Sequence, residues 1–203
     1  MPIKVGGRFL GFLFALLLAL GFLTCWSEPV WAQDSQNRFQ VVDGYISELD
    51  TSVPLDLIRA IAWVESTWRQ FKPDGTTFVD GSMSRRTHKI SRDFGIMQIN
   101  EKTLVDSQYK LSPKEIRKIK TSTRANLKFG LKVYLGKIAY VRDLRSRPSW
   151  PQTCSTYKLD GLSETEMVII AYNGFQVDHT YLRLVVAAMR DKPWEKFLDA
   201  GEK

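Results

Sequence analysis

The chain has 203 residues and a formal net charge of +7, from 29 lysines and arginines against 22 aspartates and glutamates. This length accommodates one globular domain with a substantial hydrophobic core. Only two histidines and two cysteines are present, and none of them is spaced with acidic residues as metal ligands are, so the sequence predicts no metal site and no cofactor.

Residues 1–32 have the pattern of a signal peptide. A basic start is followed by an almost unbroken apolar run over residues 9–23, and small residues at Val30 and Ala32 match the positions that a signal peptidase reads. The apolar run of about fifteen residues is shorter than the ~20 that a membrane-spanning helix needs. We therefore expect an exported domain of residues 33–203 in the periplasm or cell wall; an uncleaved leader that anchors the chain in the membrane is the alternative.

Export would leave Cys154 as the one cysteine of the mature chain, so that no intrachain disulfide can form. The domain must then be held together by its core alone. The chain stays basic after removal of the leader, with its densest run at residues 110–132. Outside the cytoplasm such a run attracts anionic wall polymers or lipid headgroups rather than nucleic acid, or it is simply the solvated face of a helix.

The first part of the mature chain is predicted to form two helices. Apolar residues recur at helical spacing over residues 37–49, and a second apolar face follows Ser52 and Pro54, which are typical of a helix start. This second face ends at Glu65. A carboxylate at the end of a mostly buried helix is poorly solvated, and such burial raises the pKa of a carboxyl group.

Helical periodicity then fails over residues 72–92, a basic insertion with Pro-Asp-Gly and Asp-Gly turn signals. Residues 76–79 and 94–97 are predicted to be short strands of a small sheet. Further helices are indicated by N-capping residues and by apolar periodicity, at Ser112, Thr123, Ser163, residues 178–189 and residues 194–198. The sequence therefore predicts a single, mostly helical domain with a small β element.

Three segments, in this order along the chain, carry the pattern of a known family. The first is the Glu65-Ser66 pair at the end of the second helix, the second is Ser-Arg-Asp-Phe-Gly-Ile-Met-Gln-Ile-Asn at residues 91–100, and the third is Ala-Tyr-Asn-Gly at residues 171–174. Together they resemble the lysozyme-like superfamily, and most closely the lytic transglycosylases of the SLT type, over residues 54–175. The resemblance implies a mostly α (α+β) lysozyme-like single domain, with its small β element after the catalytic helix.

The resemblance also implies roles for individual residues, with Glu65 as the catalytic general acid and base. Substrate would be bound by residues of the three segments, namely Ser66, Asp93, Gly95, Met97, Gln98, Asn100, Tyr172 and Asn173. Gly95 would let the sugar approach the backbone closely, and the Tyr172 hydroxyl would point toward Glu65 or toward the N-acetyl group of the substrate. Asn100 either binds substrate or caps a helix that begins near Glu101.

By this resemblance the chain would cleave the β-1,4 bond between N-acetylmuramic acid and N-acetylglucosamine in peptidoglycan, with Glu65 as the single acid and base and a 1,6-anhydromuramoyl product. Two alternatives stay open. Asp93 also matches the second carboxylate of chicken-type lysozymes, so one alternative is a muramidase that uses Glu65 and Asp93; the other is a catalytically silent wall-binding module. The expected partners are peptidoglycan glycan strands and a secretion or conjugation apparatus. The protein is expected to be a monomer.

Overall fold

The structure is a computed structural model that describes residues 35–81 and 91–199, with the side chains of the first helix described from Arg38 onward. The predicted signal peptide and most of the basic insertion lie outside the described residues. The described part contains nine helices and three short strands, in the order α1 (Ser35–Ser47), α2 (Leu55–Ser66), β1 (Val79–Asp80), β2 (Asp93–Phe94), β3 (Ile99–Asn100), α3 (Glu101–Leu104), α4 (Pro113–Thr121), α5 (Thr123–Ser146), α6 (Trp150–Tyr157), α7 (Glu164–Tyr172), α8 (Thr180–Asp191) and α9 (Glu195–Leu198). This mostly helical architecture with a small sheet confirms the predicted fold class.

The helix α2 runs along the core because one face of it is apolar and buried. Its buried residues are Leu57, Ile58, Ala60, Ile61, Ala62 and Ser66. The helix begins after Pro54, which has no N–H group to leave unpaired there. It ends at Ser66, because Thr67 adopts a left-handed backbone conformation (φ 54°) and its N–H donates back to carbonyls of the last turn. Glu65 therefore lies in the last turn of the helix, as the sequence predicts.

The three strands form one antiparallel sheet in the order β1-β2-β3, and each strand is only two residues long. Asp80 on β1 faces Asp93 on β2, and Asp93 in turn faces Asn100 on β3. Residues that face each other across an antiparallel pair project from the same side of the sheet. The pairing therefore brings these three polar side chains into one row.

The strands are shorter than predicted. Of the predicted strand at residues 76–79 only Val79 belongs to β1, and of the one at residues 94–97 only Phe94 belongs to β2. The second run turns instead of continuing, because Gly95 has a left-handed backbone (φ 72°) and the two apolar residues after it are almost fully buried. A short apolar run indicates that its residues are buried, but it does not distinguish a buried strand from a turn inside the core.

The capping signals locate the later helices closely. Ser112 and Ser163 both form complete capping boxes at the starts of α4 and α7, as predicted. The long helix α5 is capped by the side chain of Ser122 rather than by the expected Thr123, one residue later. The helix α6 was not predicted. None of its residues is fully buried, and its apolar side is short, with Trp150, Cys154 and Tyr157 packed against the core.

Packing between helices joins the two ends of the described chain. Helix α2 packs against α8, α5 packs against α7, and α1 contacts α2, α5 and α9. Between α1, α2 and α9 lies an aromatic cluster whose ring centroids are 4.3 to 6.4 Å apart, formed by Phe39, Trp63, Trp68, Trp194 and Phe197. None of the helices within residues 35–81 and 91–199 has the length and apolar character required to span a bilayer.

Candidate functional site

An open groove of about 520 Å³ lies where the sheet, the end of α2, and helices α5 and α7 come together. Six of the predicted site residues line it, namely Glu65, Asp93, Gln98, Asn100, Tyr172 and Asn173. The groove is also lined by polar residues that were not predicted to be part of a site, among them Asp80, Ser91, Lys137 and Gln176. The structure thus brings together, from four elements, most of the residues on which the sequence prediction depended.

Glu65 projects from the last turn of α2 into the groove, where its side chain is partly exposed. The Tyr181 hydroxyl donates a hydrogen bond of 2.6 Å to its Oε1. Burial raises the pKa of the Glu65 carboxyl from 4.5 to about 7; the bond from Tyr181 opposes this rise, and the negative charge of Asp93 adds to it. Near pH 7 both the protonated and the ionised forms are populated, which suits a group that gives and takes a proton.

A second carboxyl group, that of Asp93, lies in the same groove on β2. Burial raises the pKa of Asp93, a 2.7 Å hydrogen bond from Asn100 Nδ2 lowers it, and the negative charge of Asp80 raises it again. The sheet side of the groove is therefore electronegative. Among residues 35–81 and 91–199, no group of three histidines, cysteines or acids is arranged to hold a metal ion.

Sequence reasoning did not place Asp80 in the site. The pair Asp80-Gly81 indicates a turn inside the basic insertion, whereas in the structure Asp80 ends β1 opposite Asp93. The alternation of apolar Val79 with acidic Asp80 is the one local signal for a strand, and it is only two residues long. The position of Asp80 in the groove can be recognised only when the pairing of β1 with β2 is known.

The tyrosine that contacts Glu65 is not the one that the sequence indicated. Tyr172 lines the groove, but its hydroxyl donates to the Met97 carbonyl at 3.1 Å, whereas Tyr181 on α8 reaches Glu65. Because α8 packs against α2, the buried face of α8 lies beside the last turn of α2. The sequence signal that could have indicated Tyr181 is its place on the apolar face of a predicted helix, because a buried tyrosine hydroxyl needs a hydrogen-bond partner.

The remaining predicted site residues lie behind the wall of the groove. The Ser66 hydroxyl donates to the Ile96 carbonyl at 2.9 Å, and Met97 is 1 % exposed. A Cβ atom added to Gly95 would lie 2.4 Å from Oε1 of Gln70. The missing side chain of Gly95 therefore faces the protein interior, and these residues shape the groove from behind.

Two buried amide side chains hold the turn between β2 and β3, and neither was predicted. Gln70 Oε1 accepts from the Ile96 N–H at 3.0 Å, while its Nε2 donates to a carbonyl at the end of α4 at 2.9 Å. Asn126 Oδ1 accepts from the Met97 N–H at 2.8 Å, while its Nδ2 donates to the Phe94 carbonyl at 2.9 Å. Backbone N–H and carbonyl groups that are buried in a turn need hydrogen-bond partners. These two amide side chains provide the hydrogen bonds that longer strands would have made with each other.

The turn presents Gln98 and Asn100 at the groove. Gln98 has a left-handed backbone (φ 43°), and its side chain donates to the Gly95 carbonyl at 2.6 Å. Asn100 caps α3, because its Oδ1 accepts from the Lys102 N–H at 2.9 Å. Since the Nδ2 of Asn100 is bonded to Asp93 as well, the asparagine ties the second carboxyl to the start of α3.

Replacing Tyr181 with Phe is expected to raise the pKa of Glu65 above its value of about 7, because the hydroxyl bond favours the ionised carboxylate and its loss favours the protonated form. Carbon-13 NMR titration of the glutamate carboxyl groups measures this. Tyr172→Phe is the matched control: it removes a groove hydroxyl that bonds the Met97 carbonyl, and it should leave the Glu65 midpoint in place. A Glu65 midpoint that falls in Tyr181→Phe would contradict the assigned contact.

A partly buried carboxyl at the end of a core helix, beside a small antiparallel sheet in a mostly helical domain, is the arrangement found in lysozyme-like proteins. Residues 46–180 match the model of the transglycosylase SLT domain, and the chain belongs to this family. Members of the family are lytic transglycosylases, which are lyases that act on the peptidoglycan of the cell wall. The match includes Glu65, the sheet and α7. Searches of curated proteins and of solved structures gave no match.

Proposed function

We propose that this chain is an exported lytic transglycosylase that cuts the β-1,4 bond between N-acetylmuramic acid and N-acetylglucosamine, with Glu65 as the single general acid and base. The product would carry a 1,6-anhydromuramoyl end. One observation supports the assignment of Glu65 above all: it is a carboxyl with a pKa raised to about 7 that opens into a groove within the matched segment.

In the first half of the reaction the protonated Glu65 donates its proton to the glycosidic oxygen. An alkoxide is a poor leaving group, so this oxygen must be protonated as its bond to C1 of the muramoyl sugar breaks. A carboxyl with an ordinary pKa would be ionised near neutral pH and would have no proton to give. The N-acetyl oxygen of the same sugar stabilises the positive charge that develops at C1.

In the second half the ionised Glu65 takes the proton from the C6 hydroxyl of the same muramoyl sugar. The C6 oxygen attacks C1 and closes the 1,6-anhydro ring. One C–O bond at C1 is broken and one is formed, Glu65 regains the proton that it gave, and no water is consumed. Because no water has to be activated, a second catalytic carboxylate is not required.

The other groove residues would bind and orient the sugars. Side chains that offer hydrogen-bond donors and acceptors toward substrate are those of Asp93, Gln98, Asn100, Tyr172 and Asn173. Ser66, Gly95 and Met97 would act through the wall that they build behind the groove. Binding of substrate and shaping of the site are thus assigned to different members of the predicted set.

The biological setting is part of the same proposal. Residues 1–32 would be a signal peptide and residues 33–203 the exported, monomeric enzyme, which meets glycan strands in the periplasm or cell wall. A secretion or conjugation apparatus is the proposed partner, because a large machine that crosses the wall needs a local gap in it.

Mass spectrometry of muropeptides released from purified peptidoglycan tests the reaction. The transglycosylase should release products that are lighter by one water than the corresponding reducing-end products, since ring closure replaces hydrolysis. Reducing ends would identify a hydrolase instead. Absence of any release by folded protein would favour the catalytically silent wall-binding module.

A second candidate, a muramidase that uses Glu65 and Asp93, is favoured by one observation: Asp93 lines the same groove and its charge acts on Glu65. Asp93→Asn separates the two. In the single-acid enzyme, cleavage should stay within about tenfold of wild type, whereas loss of a catalytic carboxylate costs about a hundredfold or more.

The same substitution has a pH signature. Because the charge of Asp93 raises the pKa of Glu65, its removal should shift the alkaline limb of kcat/KM from about pH 7 to lower pH. Asp80→Asn is the matched control, since it removes a carboxylate from the same groove whose charge is not among the causes of the Glu65 shift. An equal displacement of the limb in both variants would contradict the direct effect of Asp93.

A further inference from the structure

The charges in the groove are divided between its elements. Carboxyl groups project from the end of α2 and from the sheet, at Glu65, Asp80 and Asp93. The ammonium group comes from α5, at Lys137, the one lysine or arginine among the described residues that line the groove. A ligand that carries an anionic group therefore meets repulsion at the sheet and attraction at α5.

Lys137 is partly buried and has no ionic partner within residues 35–81 and 91–199. Burial lowers its pKa, and no carboxylate offsets this effect. Arg59 provides a contrast in the same chain: it is also partly buried, which lowers its pKa, but its bonds to Asp43 and Asp56 raise its pKa above the ordinary value. A desolvated charge without a counter-charge is unfavourable, so an anion brought by a ligand would stabilise Lys137.

The surroundings of Lys137 suit a peptide better than a sugar ring alone. Its Nζ lies 5.8 Å from the ring centroid of Tyr140, which is 42 % exposed and pairs with Phe175 at 6.3 Å between centroids. Gln176, next to Phe175, offers an amide in the groove. Apolar rings, an amide and an ammonium group together match the methyl groups, backbone and carboxylate of a short acidic peptide.

Peptidoglycan presents such a peptide beside the bond that is cut. Its sugars carry hydroxyl and N-acetyl groups, which are neutral, whereas the stem peptide joined to the lactyl group of each muramoyl residue ends in carboxylates. We propose that Lys137 forms a subsite for a stem-peptide carboxylate, so that the groove prefers glycan strands that carry their peptides. This inference deepens the proposed function and rests on it for the identity of the substrate.

Binding of soluble glycan strands to the full-length chain tests the subsite without turnover, in a Glu65→Gln background. Three substrates are compared: native peptide-bearing strands, the same strands with their carboxyl groups converted to primary amides, and strands freed of peptide by an amidase, which keep only the lactyl carboxylate. Adding Lys137→Met should lower the affinity for native strands about tenfold, as loss of a charge-assisted contact does. The preference for native over both other substrates should fall by the same factor.

Two further variants complete the design. Lys137→Arg keeps the charge and should retain most of the preference, while Lys128→Met removes an exposed lysine of the same helix and should not alter it. An equal loss of affinity for native and amidated strands would show a merely structural role and overturn the proposal. An equal loss for native and peptide-free strands would show that Lys137 does not distinguish a stem-peptide carboxylate from a free lactyl carboxylate, and this would overturn the proposed preference for strands that carry their peptides. No loss of affinity for any of the three substrates would show that Lys137 does not bind the strand.

The reaction itself is tested separately, by identifying the products that the wild-type chain releases. Reducing-end products together with a selective loss of native-strand binding in Lys137→Met would overturn the transglycosylase reaction and leave the subsite standing. Anhydro products without a selective loss of native-strand binding in Lys137→Met would support the transglycosylase reaction and overturn the subsite.

Discussion

Glu65→Gln is expected to reduce peptidoglycan cleavage by about a thousandfold or more, because in the proposed mechanism one carboxyl supplies both the proton for the leaving oxygen and the base for the C6 hydroxyl. Glutamine keeps the shape of the side chain and an oxygen that can accept the hydrogen bond from Tyr181. The variant should therefore fold and bind strands. The measurement is the rate of muropeptide release by the two proteins at equal concentration.

The same substitution should stabilise the fold at alkaline pH. The Glu65 carboxyl has a pKa of about 7 in the folded chain against 4.5 as the reference for the unfolded chain, so the folded state holds its proton more tightly. Ionisation then costs stability that grows between pH 4.5 and pH 7 and is constant above. At pH 8 we expect Glu65→Gln to be more stable by up to about 3 kcal/mol, with little of this gain at pH 4.

Urea unfolding at the two pH values measures this difference. A stability gain of equal size at pH 4 and pH 8 would contradict the raised pKa, since glutamine does not titrate. Residual cleavage close to that of the wild type would contradict the catalytic assignment of Glu65, whatever the stability data show.

Gly95→Ala is expected to destabilise the domain by about 3–5 kcal/mol. The residue has φ 72°, where a Cβ atom is strained, and its new methyl group would lie 2.4 Å from Gln70 Oε1 and 2.7 Å from Asn126 Nδ2. Both amides are buried and hydrogen-bonded to the turn, so neither can move without leaving polar groups unpaired. Thermal or urea unfolding measures the loss.

Gly44→Ala is the matched control for this substitution. Gly44 lies within α1, and a Cβ atom placed there meets nothing within 4 Å. Alanine in a helix is favoured over glycine, so this variant should gain about 0.5–1 kcal/mol. A loss below about 1 kcal/mol in Gly95→Ala would mean that the turn relaxes, and that its close packing is not what fixes Gln98 at the groove.

The parts of the site that the sequence predicted are those that local patterns determine. The position of Glu65 at the end of α2 follows from the apolar face of that helix, while its catalytic role is implied by the family resemblance. In the rest of the fold, the starts of α4 and α7 follow from Ser112 and Ser163 with their capping partners. Asn100 was recognised as a possible helix cap, which it is. In each case the deciding interaction links residues within four positions of one another, so that the sequence contains both partners side by side.

The missed residues depend on contacts between distant parts of the chain. Tyr181 meets Glu65 only because α8 packs against α2, and Asp80 meets Asp93 only through a strand pairing two residues long. Gln70 and Asn126 bond backbone groups of the turn that lie 26 and 29 residues away along the chain. A polar residue in an apolar stretch signals that some buried partner exists, but the identity of that partner is decided by packing.

The length of α5 has a consequence for how a strand is positioned. Asn126 near its start holds the turn that presents Gln98, and Lys137 lies eleven residues further along the same unbroken helix, a rise of about 16 Å. A helix resists stretching because each residue is hydrogen-bonded to the next turn. The turn that carries Gln98 and the lysine are therefore held at a fixed distance from each other. In the proposed complex, the helix would keep the bond that is cut at a constant distance from the group bound at Lys137.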